Sequence, residues 1–216
     1  MPSGYARVMS RTTAWVVGTI AIAAAAVLGQ AGYSVYQKRV QQKQVAALVG
    51  DSTEKLRQAL GAKVSPALVS ALDANLRATK APRLPELADA AEHFIIGARE
   101  IARRRVVTTE LERRAAASRA ALAGHMAHAS RRNSGWLRDA LSLKQRVERE
   151  HYDLGIALKA LDELLYTVPE SEKRLAPHVG QALLLDLKVA DAARRQAQAD
   201  AERAHEELTR VRRLIP

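Results

Sequence analysis

Two Glu-x-x-His pairs stand out in this sequence, Glu148 with His151 and Glu202 with His205. Residues three apart on a helix face the same way, and helical bundles that hold two metal ions between carboxylates use this spacing. Such a centre requires the two pairs to lie at one level, with the metals only about 4 Å apart. If the chain folds back near residue 132 and again near residue 172, the helix levels follow. His151 then lies level with residue 193 and His205 with residue 139, an offset of about 18 Å at the helical rise. The pairs are therefore expected to be too far apart to share a centre.

The same folding brings His205 towards His125 and His128, with Asp139, Glu202 and Glu206 near that level. Three histidines and a carboxylate suffice for zinc. The spacing constrains no geometry, however, and polar residues close to a hairpin end account for the group equally well. The expectation is no metal ligand, no cofactor and no catalytic residue. Nothing else in the sequence argues for chemistry. There is no cysteine, so thiolate nucleophiles, disulfides and Cys-ligated metals are excluded. No Gly-rich phosphate loop, Gly-x-Ser-x-Gly elbow or His-Glu-x-x-His is present.

Three polar residues interrupt otherwise apolar helical seams: Arg105, His151 and Arg194. A buried charge without a partner is costly, so such positions must pair, snorkel or line water. They are expected to form a polar core layer that sets helix register, or in a functional version a weak layer or ligand site between helices. Arg99 to Arg119 is rich in arginine, but Arg103, Arg104 and Arg105 spread over about 200° of a helix and Glu100, Glu110 and Glu112 are interspersed. With few aromatics to stack bases and no recognised motif, nucleic acid is not expected as a partner.

These residues need helices to carry them. Alanine makes up roughly a fifth of the 216 residues, and Gly and Pro are sparse. Leu, Ala, Arg, Gln and Glu dominate, all of them helix formers. The formal charge is +11 and aromatics are 4%. From Pro85 to about Ala129 a stripe reads Leu87, Ala91, Phe94, Ala98, Ile101, Thr108, Leu111, Ala115, Leu122, Ala129. The cleanest seam follows: Trp136, Ala140, Leu143, Val147, His151, Leu154, Leu158, Leu161, Leu165, Val168. Steps of three and four sustained this long mark one buried helical face. Pro169 and Pro177 are expected to punctuate a turn, with a third helix from about Pro177 to Leu214. Short connections make antiparallel neighbours. Upstream, Gly50 is expected to break a helix, with Asp51 and Glu54 as a capping box for a short helix to Leu60. Gly61 stops that helix, and Ser65-Pro66 starts another to about Ala78.

Ahead of these, Ala14 to Tyr36 contains no charged residue. As a helix it would be roughly 34 Å long, enough to cross the hydrocarbon layer. Trp15, Tyr33 and Tyr36 suit the interface, and Lys38 and Arg39 follow. The segment reads as a retained signal-anchor. The alternatives are a signal peptide cleaved after Ala31 and a buried helix. Arg7 and Arg11 precede the segment and all 23 acidic residues follow it, so the remainder carries 32 basic residues and a net +9. The short basic N-terminus favours the cytoplasmic side, which places the main domain outside a bacterial inner membrane.

The sequence thus predicts an all-α protein: a single N-terminal transmembrane helix and then an elongated antiparallel bundle of coiled-coil-like hairpins. Its parts are a basic tail (1–13), the span (14–36), membrane-proximal short helices (37–80) and the long-helix bundle (81–216). The expected role is a non-enzymatic interaction or scaffolding module of the bacterial envelope. Its partners would be membrane lipid and a helical protein or a second copy, with no small-molecule substrate identified. A ligand-sensing bundle acting through a partner, or a metal-binding bundle, are the alternatives.

Overall fold

A computed structural model describes residues 5–61, 64–128 and 134–214, leaving aside the side chains of 5–29, 182 and 214. The described residues are mostly helical, with no strand among them. The helices are α1 (Tyr5–Leu60), α2 (Pro66–Ala78), α3 (Pro85–Ala127), α4 (Ser134–Leu175) and α5 (Leu187–Leu214). Two compact units are present, residues 1–44 and 45–216. In the first, the described side chains Tyr33, Tyr36, Lys38 and Arg39 are exposed. Trp15 and the apolar run Ala14 to Gly29 lie outside the described side chains. Among the described residues no helix is long and apolar enough to cross a membrane.

The second unit is a bundle in which α3 packs on α4, α4 on α5 and α2 on α3. Its largest core cluster joins Val45, Val49, Leu56 and Ala59 of α1 to Leu72 of α2, Phe94 and Ile101 of α3, Leu161 and Leu165 of α4 and Ala190 of α5. Each fully buried Leu, Ile or Phe contributes about 1.5–3 kcal/mol. Two smaller clusters continue along the three long helices. One is Ala115, Leu154, Leu158 and Ala204, and the next is Leu122, Val147 and Val211.

Several starts and stops follow the sequence. Ser65 Oγ accepts from the amide of Ala67 at 3.2 Å and Pro66 opens α2. The helix α1 ends before Gly61, whose amide turns back to the Gln58 carbonyl. Four expectations are corrected. Gly50 does not break α1, because Val45, Val49, Leu56 and Ala59 bury one continuous face across it. That burial outweighs the ~1 kcal/mol that glycine costs inside a helix. A side chain at Gly50 would put its Cβ 3.1 Å from Leu183 Cδ2. Glycine there lets the α4–α5 connection approach closely, and the Thr53 hydroxyl meets the Leu183 carbonyl at 2.7 Å. Asp51 forms no capping box; it pairs with Lys55 and accepts from Asn75 of α2 at 2.6 Å.

Nor does Pro169 end α4, which runs on to Leu175. Leu165, Val168, Glu172 and Leu175 are all buried on one face, so packing holds the turn although proline donates no amide bond to it. Finally, α5 begins at Leu187 and not near Pro177. Residues 176–186 form a connection with a short 3-10 turn, Gln181–Leu183. Buried Glu172 anchors this connection by accepting the Leu185 amide at 2.6 Å. Asp186 caps α5 by accepting the Lys188 amide at 2.9 Å.

Candidate functional site

The longer α4–α5 connection changes which residues meet. Arg194 Nε donates to Asp162 Oδ1 at 2.8 Å, and Lys144 donates to the carbonyl of Arg212 at 3.2 Å. On this register His151 lies level with residue 205 instead of 193. The two histidines that the sequence sets apart therefore line one groove between α4 and α5, of about 730 Å³. Tyr152, Ile156 and Lys159 form its α4 rim, and Gln198, Glu202 and Glu206 its α5 rim.

His151 is 5% exposed, and its ring Nδ1 donates to the Val147 carbonyl at 2.9 Å. It sits one turn from Leu154 and one from Val147, between the two smaller apolar clusters. Ser118 occupies the matching place on α3, between Ala115 and Leu122, and its hydroxyl donates to the Ala115 carbonyl at 3.1 Å. Both polar side chains satisfy themselves on their own helix, which is why this layer is tolerated.

The three expected layer residues do not come together. Arg105 is half-buried and donates from Nε to the Ala59 carbonyl at 3.3 Å. A cation there meets the negative end of α1. Arg194 is paired with Asp162 and its guanidinium lies 4.9 Å over the Tyr166 ring. Asp162 is three turns from His151, or about 16 Å along α4. Only His151 is a buried layer residue; the two arginines tie helices together at other levels.

The histidines near the α3–α4 turn are also accounted for locally. His125 stacks on Trp136, with ring centroids 5.1 Å apart, and its Nε2 donates to the Trp136 carbonyl at 3.0 Å. His128 Nδ1 donates to the Gly124 carbonyl at 2.8 Å. His205 faces His151 across the groove, so it is not at their level. Although the corrected register brings Glu148-x-x-His151 and Glu202-x-x-His205 side by side, no group of three His, Asp or Glu side chains among the described residues is placed to hold a metal ion.

Two carboxyls are raised in pKa by burial. Burial raises Glu172 above its usual range, opposed by the Leu185 amide. Burial also raises Glu112, with the Arg105 charge opposing. On the surface, hydrogen bonds from Arg113 and Arg114 hold Glu110 down at about 2.

What the seam reading passed over is a second face of α4. Leu137, Leu141, Tyr152, Ile156 and Tyr166 are large apolar side chains left 37% to 68% exposed. At about 100° per residue they fall within one ~100° arc, beside the buried seam. The signal was present, since their own spacing is helical, but the stronger seam masked it.

Fold and groove together define an all-helical bundle with a partly open long face. No protein-family model matches the sequence, no curated protein is significantly similar to it, and no solved structure matches its fold.

Proposed function

We propose that this protein is a membrane-anchored helical interaction module of the bacterial envelope, without catalytic activity. The observation that carries the reading is the outward apolar face of α4. Large apolar side chains left exposed along one helix face, interspersed with charges, suit a surface that another helix covers. The uncharged stretch Ala14 to Tyr36 supports anchoring in the inner membrane, and Arg7 and Arg11 ahead of it support a bundle outside the cytoplasm. Tyr33, Tyr36, Lys38 and Arg39 would then lie at the lipid–water boundary.

Alkaline extraction of membranes tests the anchor. The full chain should stay in the pellet, and the variant Ile20→Lys with Ala24→Asp should move to the supernatant. A wild-type chain washed out by alkali would rule out a spanning anchor. Protease added to intact spheroplasts should digest the bundle; protection would reverse the orientation.

A second reading, a ligand-sensing bundle acting through a partner, has one observation in its favour. His151 and His205 line a single groove with Glu202 and Glu206. Small ligands that raise the melting temperature of the wild type but not of His205→Ala would support it.

A further inference from the structure

We propose that α4 pairs with α4 of a second copy of this chain, antiparallel, through its outward face. The proposal rests on the reading of the bundle as an interaction module and names its partner. The face that carries Leu141, Tyr152, Ile156 and Tyr166 also carries Glu148 and Lys159, within the same ~100° arc. Neither of these charges makes an ion pair within its own chain among the described residues.

One antiparallel register pairs both charges and three of the four apolar side chains. With the two-fold axis between Asp153 and Leu154, Glu148 lies opposite Lys159 of the second copy, and Leu141 opposite its Tyr166. Tyr152 lies opposite Gly155, where an added Cβ would meet no atom within 4 Å, so a ring has room to lie against the backbone. Each contact occurs twice, as a two-fold interface requires. A parallel pairing instead sets Glu148 against Glu148 and Lys159 against Lys159, and like charges at close range repel. For two copies paired through this face, the charge pattern therefore favours the antiparallel direction.

The strip from Leu141 to Tyr166 is about 37 Å long. At one helix width it covers on the order of 400 Å² per copy, below the ~800 Å² of a standard interface. The pairing is accordingly a weak one in solution, strengthened where both copies share a membrane and their effective concentration rises.

The absence of cysteine makes the register measurable. Full-length chains carrying only Leu141→Cys or only Tyr166→Cys are reconstituted into the same lipid vesicles and treated with a short bis-maleimide. The mixture should give a cross-linked dimer, and neither chain should cross-link when reconstituted alone. Cross-linking of each chain with itself would establish a parallel arrangement and overturn the proposal. No cross-link in any sample would overturn the pairing itself, while the alkaline-extraction result for the anchor stands independently. As a second measurement, Lys159→Glu should weaken dimerisation about tenfold, and adding Glu148→Lys should restore it. Both positions are on the surface, so a circular dichroism melt separates lost pairing from lost folding. Failure of the double exchange to restore the dimer would overturn this register.

Discussion

Arg194 of α5 donates to Asp162 of α4 at 2.8 Å, and its guanidinium lies over the ring of Tyr166 one turn further on. This contact lies on the same α4–α5 register that brings His205 level with His151. Both side chains keep partial access to water, which screens the pair. Removing Arg194 with alanine should cost about 0.5–1 kcal/mol, and a double-mutant cycle with Asp162→Ala should show coupling of similar size. Chemical denaturation of the four chains measures it. Additive effects would mean that packing alone holds the register.

His151 interrupts an apolar seam without pairing to another helix. Its ring bonds to the Val147 carbonyl, which the helix already uses, so replacing the ring orphans no backbone group. His151→Leu would join the clusters around Leu154 and Val147 and should stabilise the fold by about 1 kcal/mol. His151→Ala would leave a cavity and should destabilise it by about 1–2 kcal/mol. Urea titration distinguishes the two signs. A destabilising leucine would indicate that the imidazole has work beyond packing.

Glu172 gives the bundle a pH dependence of definite sign. Burial raises its pKa above the ordinary 4.5. The folded state therefore binds the proton more tightly than the unfolded chain does. The stability linked to this group is fully present below about pH 4.5 and is lost as pH rises through the folded value. Glu172→Gln keeps an acceptor for the Leu185 amide and removes the buried charge. The variant should be more stable than wild type at neutral pH, with the difference vanishing towards about pH 4. Thermal melts at the two conditions check this. A variant weaker at neutral pH would show that the carboxylate's charge is needed at the connection.

Ser65 offers a simpler test of local chemistry. Its hydroxyl oxygen takes one of the orphan amides at the start of α2. Ser65→Ala should lower stability by about 1 kcal/mol, and Ser65→Asp should leave it nearly unchanged. Equal losses in both variants would place the effect elsewhere than in the cap.

Much of the architecture is legible in the residues alone, because it depends on local rules. The three–four spacing from Ala140 to Val168 marks the buried face of α4, and eight of its positions from Ala140 onward are buried in the fold: Ala140, Val147, His151, Leu154, Leu158, Leu161, Leu165 and Val168. Ser65-Pro66 and Gly61 mark helix ends through hydrogen-bonding capacity and backbone freedom, which are properties of single residues. Gly50 and Pro169 look like breaks for the same reason, yet both lie inside helices. Their local penalty is a few kcal/mol at most, and the apolar side chains buried on either side exceed it. The α4–α5 register depends on how residues 176–186 fold, and thus on Glu172 reaching the Leu185 amide and Thr53 reaching the Leu183 carbonyl. Those contacts join residues far apart in the chain, and no periodicity encodes them. A periodic seam states which face of a helix is buried; only tertiary packing decides which level of the neighbouring helix it meets, and that level is what puts His151 beside His205 and leaves the face of Tyr152 uncovered.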